Sequence, residues 1–280
     1  MRNKKACMKN KGNNADYDNR TYPLISEESS HHLHYNKNMS PFIWIVFILG
    51  VSIGSFLNVL IDRLPKGRDV IRGRSHCDYC KHSLSWYELI PIASWIIQLG
   101  KSRCCGKHLS IQYPLVELIT GFVFVELSVL FFSTPLLFLA SLCISIAVLV
   151  LFVSDVKYEL LPTPLLLLWG FGVVLRFIAL QPSGGDLLYV YGIPSFCAGL
   201  FFFFLWFFSK GRAMGDGDMW LAILIGLVTG YPGIIIALYI AFLTGAAVGV
   251  ILILGGLKTL KSHIPLGPFL LLGMVIAILL

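Results

Sequence analysis

The chain has 280 residues, of which 56% are hydrophobic and only 13% charged, with a net charge of +7 and a mean hydropathy of +0.78. Water-soluble domains carry about a quarter charged residues, so this composition excludes an ordinary cytosolic enzyme or a disordered chain and implies an integral membrane protein. Of the seven cysteines, Cys77, Cys80, Cys104 and Cys105 share one basic segment, which excludes a secreted disulfide scaffold and suggests a reducing compartment with metal or thiol chemistry.

Residues 1–40 are polar and lack aliphatic periodicity, so they are expected to form a disordered tail. No apolar core follows the first five residues, and no signal peptide is read there. Apolar segments follow at 42–61, 115–132, 135–154, 164–180, 187–208, 219–229, 234–254 and 264–280. The expected fold is an all-α polytopic membrane protein with about eight transmembrane helices and one cytoplasmic loop domain between helices 1 and 2. Residues 41–61 form the first transmembrane helix, 62–112 the Cys-containing loop domain and 113–280 the membrane-embedded domain. Cys143 and Cys197 lie in apolar runs and are expected to be buried, inert thiols. The Phe201–Phe204 run is read as lipid-facing packing.

Orientation follows from charge. Residues 62–110 carry nine Lys/Arg against four Asp/Glu, which places them in the cytoplasm. Lys157, Lys210, Arg212, Lys258 and Lys261 fall in loops on the same side, while the alternate loops lack Lys and Arg. Arg176 breaks the pattern and is expected to snorkel from a helix end. The 219–229 segment is eleven residues, about 16 Å of helix against a hydrocarbon core of ~30 Å. Its crossing is therefore expected to begin near Lys210, carrying Asp216 and Asp218 below the membrane surface, where acids are costly and point to function.

Asp155 ends the third crossing on the same side. A solvated helix cap would account for one such aspartate. Gly215-Asp216-Gly217-Asp218 goes further, because its glycines permit close backbone approach beside a carboxylate. Two carboxylates on neighbouring helices in a poorly hydrated site cannot both ionise cheaply and share a proton. One can then deprotonate a water while the other polarises or protonates a scissile carbonyl, as in an aspartic protease. A proton-coupled transporter uses the same ingredients. Internal inverted repeats would mark one, and none is evident.

The motifs resemble the type IV prepilin peptidases, membrane aspartic proteases of the GxGD type. The resemblance covers nearly everything from Ile53 onward. It rests, in order, on Gly54-Ser55-Phe56-Leu57-Asn58-Val59 with Asp62-Arg63-Leu64-Pro65, and on Cys77-x-x-Cys80. Trp86-Tyr87-Glu88 and Tyr113-Pro114-Leu115-Val116-Glu117 follow. Asp155 ahead of Leu160-Leu161-Pro162, Ala213-Met214-Gly215-Asp216-Gly217-Asp218 and Ile264-Pro265-Leu266-Gly267-Pro268-Phe269 complete it. It implies Asp155 and Asp218 as the catalytic pair, supported by Gly215, Asp216 and Gly217. The implied substrates are prepilin or pseudopilin precursors, cut at the cytoplasmic face of the bacterial inner membrane with no cofactor required for proteolysis. Many members also methylate the new N-terminus with S-adenosylmethionine, although no glycine-rich cofactor loop is visible here.

The family often carries two CxxC pairs, which would make a structural zinc site. Here Ser102 occupies the third cysteine position, Cys105 the fourth, and Cys104 is an extra neighbour. Zinc held by Cys77, Cys80, Cys105 and Cys104, or by one of His76, His82 and His108 in place of Cys104, stands beside a metal-free loop as the alternative. Adjacent cysteines are expected to point at one ion only with backbone distortion. Lys157 and Thr163 stand where acids are common in the family. Asn58 and Glu117 are read as intramembrane hydrogen-bond groups. Glu126, nine residues from Glu117 and so on the opposite helix face, has no assigned role. The net positive loop domain is expected to meet a lipid bilayer with anionic headgroups rather than nucleic acid.

Overall fold

The computed structural model describes residues 39–70, 73–77, 79–211, 214–256 and 265–280. Residues 1–38 of the expected disordered tail, as well as Arg212, Ala213, Lys258, Lys261 and Ile264, lie outside these residues, whereas Met39 and Ser40, expected in the tail, begin the first helix. The chain divides into the units Met1–Pro41 and Phe42–Leu280, and nearly all described residues belong to the second.

The described elements are helical, apart from two isolated β-bridges in the loop domain. α1 spans Met39–Arg63 and ends in a 3-10 turn at Leu64–Lys66. The loop domain holds a 3-10 turn at Trp86–Leu89 and the short α2, Ala93–Ile97. α3 (Gln112–Leu130), α4 (Pro135–Tyr158) and α5 (Thr163–Leu180) follow. α6 (Gly184–Asp186) runs through a π-helical stretch, Leu187–Gly192, into α7 (Ile193–Ser209). α8 spans Asp216–Leu254 and α9 spans Gly267–Leu279. Six of the helical spans are long and apolar enough to cross a membrane.

α1 and α3 pack through small residues. A Cβ on Gly54 would lie 2.7 Å from the Glu117 backbone, and one on Gly50 would lie 2.8 Å from Phe124. Glycines four apart thus let two membrane helices approach to backbone contact. One turn further along α1, Asn58 donates to the Tyr113 carbonyl at 3.1 Å, the interhelical role expected of it.

The 39 residues of α8 are two helices rather than one rod. Gly230 (φ 63°) and Tyr231 leave helical geometry, and Pro232 follows. In a straight helix Leu221 and Gly245 would stand about 36 Å apart. Yet a Cβ on Gly267 would meet Leu221 at 3.3 Å, and Phe269, two residues on, packs at 3.4 Å from the Cβ position of Gly245. The halves therefore fold back on each other and correspond to the sixth and seventh apolar segments. The first half starts at Asp216, not near Lys210, because the chain from Lys210 onward leaves α7 through left-handed turns at Lys210 and Gly211.

Three other expectations change. Arg176 does not snorkel: its guanidinium donates to the Val228 carbonyl at 2.6 Å. That carbonyl would ordinarily accept from the residue four positions on, Pro232, which has no N–H to give. Phe202 is fully buried and stacks on Phe242 with centroids 6.2 Å apart, while Phe201, Phe203 and Phe204 face outward. Cys143 is half-buried and Cys197 is exposed on the surface of α7. The central core, Ile144, Leu151, Trp169, Leu221, Ile225 and Leu270 among others, joins α4, α5, α8 and α9.

Candidate active site

Asp155 sits in the last turn of α4, which stops at a left-handed Glu159 (φ 52°). Asp218 sits in the first turn of α8, where the backbone of the N-cap Gly215 hydrogen-bonds its carboxylate. A carboxylate reaching back to an N-cap amide satisfies a donor left over at the helix start and suits the positive end of the helix dipole. Both side chains are buried, 5% and 6% exposed, which a solvated cap would not be.

The N-terminus of α9 brings these two helix ends together. A Cβ on Gly267 would overlap Asp155 Oδ2 on one side and stand 3.3 Å from Leu221 Cδ1, one turn beyond Asp218, on the other. The Gly267 backbone hydrogen-bonds the Asp155 carboxylate, and Asp155 and Asp218 interact electrostatically. Asp155 Oδ2 is buried against the start of α9. Gly267 was legible in the sequence only as part of a motif, and its contact with Asp155 has no signal in spacing.

The two glycines beside Asp216 differ. A Cβ on Gly217 would stand 2.7 Å from Leu161 Cδ1, in the α4–α5 connection, so close approach does require that glycine. At Gly215 the nearest atom would be 3.9 Å away, so packing does not demand glycine there. Asp216 is exposed.

A second polar cluster braces the end of α4. Asp62, at the end of α1, accepts from Lys157 Nζ at 2.6 Å, Tyr158 Oη at 2.8 Å and Tyr113 Oη at 3.1 Å. Lys157 is thus an ion-pair partner for α1, two residues from Asp155. No spacing in the chain marks this pairing, because the two residues lie on separate helices. Glu117 is buried and accepts from the Ile92 backbone at 2.7 Å, which fastens the loop domain to α3. Glu126 is exposed.

The loop domain contains two similar turns. His76 pairs with Ser83 and Lys101 with His108 as bridges. Within the turns, the Cys77 amide donates to His82 and the Ser102 amide to Lys107, so Ser102 occupies in the second turn the place that Cys77 occupies in the first. The Sγ atoms of Cys77, Cys80, Cys104 and Cys105 all lie within 4.8 Å of one another. Contrary to expectation, the adjacent Cys104 and Cys105 both reach one cluster without a left-handed residue at either position, and none of the three histidines joins it.

Tetrahedral zinc with bonds of about 2.3 Å places its sulfurs about 3.8 Å apart. Cys77 and Cys105 are 3.7 Å apart and fit, whereas Cys80 and Cys104, at 2.9 Å, would have to open. Burial raises the Cys77 thiol, but the Cys80 backbone amide, the Ser102 hydroxyl and the Tyr79 amide outweigh it and hold that thiol down at about 6. The Cys80 thiol beside it pushes Cys104 up to about 12. Four thiols gathered at this spacing are a donor set that a zinc ion would bind as thiolates, releasing protons.

Fold and site define a multi-pass helical membrane protein with a buried aspartate pair at the ends of two helices. The model for the Bacterial Peptidase A24 N-terminal domain matches residues 48–131, and that for the Type IV leader peptidase family matches residues 142–250. The chain is 31% identical to a prepilin leader peptidase/N-methyltransferase of Bacillus subtilis over 84% of this chain and 93% of the relative. It is 32% identical to one of Myxococcus xanthus over 76% of this chain and 64% of the relative, so it spans somewhat less than two thirds of that protein. A third, from Xanthomonas campestris pv. campestris, is 31% identical over 79% of this chain and 85% of the relative. No solved structure matches the chain. The chain belongs to the type IV leader peptidase family.

Proposed function

We propose that this protein is a membrane aspartic endopeptidase that removes the leader of prepilin or pseudopilin precursors and methylates the new N-terminus. Asp155 and Asp218 are its catalytic pair. The observation that carries this reading is the meeting of two buried carboxylates at the Gly267 end of α9. Such a pair holds one proton between two groups, so the ionised member takes a proton from the attacking water while the protonated member donates to the scissile carbonyl. The exposed Asp216 and Glu159 beside it offer charge to a basic leader. The basic residues of the loop domain support a cytoplasmic location for this end, in the bacterial inner membrane. The geometry does not favour a transporter.

The four cysteines hold a structural zinc, which staples a loop domain that has little core of its own. Its four-thiolate site has no open position for a substrate. S-adenosylmethionine would supply the methyl group. The residues fit it in a cavity of about 860 Å³ between α1, α3 and the loop domain, lined by Asp62, Arg63, Glu88, Trp95 and Glu117 among others. The Glu88 and Glu117 carboxylates suit its sulfonium and amino groups. Among the described residues the buried Trp95 indole N–H has no acceptor, and it offers a donor to the base. The test is purified full chain in nanodiscs with a precursor bearing a basic leader. Mass spectrometry should show loss of the leader and, only with S-adenosylmethionine added, one further methyl. An intact precursor would refute the peptidase reading, and an unmethylated product the second activity.

A further inference from the structure

The stretch from Trp86 to Leu99 has its polarity the wrong way round for a domain surrounded by water. Glu88, Ser94, Trp95 and Gln98 line the internal cavity. The residues between them present apolar groups outward: Trp86 is 77% exposed, Ile97 68% and Leu99 82%, with Tyr87, Ile90 and Ile96 also exposed. An amphipathic segment with its polar face toward the protein and its apolar face outward is stable only where the outside is itself apolar.

Depth points the same way. The Ile92 amide donates to Glu117 Oε2, and Glu117 lies five residues into α3, about 8 Å along the helix from Gln112. α3 has 19 residues, about 28 Å, which is barely the thickness of a ~30 Å hydrocarbon core. With Gln112 at the edge of that core, the Glu117 carboxyl, whose side chain leans back toward the helix N-terminus, holds Ile92 at or just inside that edge. The exposed apolar patch continues along Ile111, Leu115, Ile119 and Phe122 on α3, the outward face of a membrane-crossing helix. At the rim, Arg103 stands over the Tyr87 ring at 5.3 Å and Lys107 over Tyr79 at 4.7 Å. Aromatic rings beside basic groups mark the headgroup level.

We infer that Trp86–Leu99 is an interfacial anchor: a segment of the loop domain that lies in the leaflet at the aspartate end, its apolar face against acyl chains and its basic rim against anionic headgroups. The loop domain is then partly a membrane element, and lipid forms its outer boundary. A second copy of the chain is the other occupant such a face could take, but the continuity with the α3 face and the depth fixed by Glu117 favour lipid.

The experiment introduces the photo-cross-linker benzoylphenylalanine at Ile97 or at Leu99 of the full chain, with Phe122 as a lipid-facing reference. The chains are reconstituted in nanodiscs of phosphatidylethanolamine and phosphatidylglycerol, irradiated and weighed by mass spectrometry. Lipid adducts at both positions, in at least about a third of the yield at Phe122, are expected. A lower lipid yield at either position, or cross-linking mainly to a second chain, overturns the inference. The substituted side chains already point outward, so these variants leave the fold undisturbed.

Discussion

Gly267→Ala adds one carbon atom at the point where α9 meets Asp155. That Cβ would overlap Asp155 Oδ2 and stand 3.1 Å from its Cγ and 3.3 Å from Leu221 Cδ1. Restoring van der Waals separation needs a shift of roughly 1 Å in either the carboxylate or the start of α9. Overpacking of this kind costs about 1–3 kcal/mol. The catalytic consequence is larger, because a misplacement of about 1 Å at reacting groups lowers rate on the order of 100-fold, equivalent to about 2.7 kcal/mol of barrier. Gly267 is the first residue of α9, so the helix preference of alanine does not offset this cost, and stability has to be measured beside activity. The assay is single-turnover cleavage of a precursor by the variant in nanodiscs, with thermal unfolding followed in parallel. Gly170→Ala, whose nearest neighbour would be Leu224 Cδ2 at 3.9 Å, serves as the control and should stay within about 0.5 kcal/mol of the parent. Cleavage by Gly267→Ala within about threefold of the parent would refute the placement of α9 against the pair.

Gly217→Ala should lower cleavage through its clash with Leu161, and adding Leu161→Ala should restore part of it. A double-mutant cycle with no coupling between the two would contradict the contact. Asp62→Asn should lower thermal stability by about 1–3 kcal/mol, toward the low end because the Lys157 pair is partly exposed. Its kcat should fall while KM stays nearly constant, since Asp62 braces α4 without touching substrate. Elemental analysis should find one zinc per chain, reduced in Cys104→Ser and restored in Ser102→Cys/Cys104→Ser, because Ser102 Oγ lies 3.3 Å from Cys77 Sγ. A metal-free parent would refute the staple.

The parts of this fold that were legible in the sequence are those set by bulk hydropathy. Each of the eight apolar segments is helical where described, and the break between the sixth and seventh falls at Gly230, Tyr231 and Pro232, where glycine and proline already marked it. The start of α8 was not legible. Hydropathy cannot tell an apolar helical turn from the left-handed loop at Lys210 and Gly211, and length alone favoured the longer helix. Asp155 and Asp218 stood out because acids are rare in such a chain. Their supports did not, since Gly267, Leu161 and the Asp62–Lys157 pair act through contacts between segments far apart in sequence. The four cysteines meet as their sequence pattern allows, and only the backbone distortion expected of adjacent ligands is missing, for a local reason. Adjacent side chains diverge in extended backbone, whereas the turn from Ser102 to Gly106, closed by a hydrogen bond between their backbones, folds Cys104 and Cys105 to one side. The outward apolar face of Trp86–Leu99 had no clear periodicity, because only five of those residues form an α-helix.

If one buried carboxylate pair performs the cleavage, precursor cleavage by Asp155→Asn and Asp218→Asn, measured in parallel with Asp216→Asn, each in nanodiscs with its fold verified by thermal unfolding, decides it. An amide can neither accept the proton of the attacking water nor share one with its partner. Both buried substitutions should abolish cleavage, while the exposed Asp216→Asn should retain it. Measurable proteolysis by either Asp155→Asn or Asp218→Asn would contradict the catalytic role of the pair.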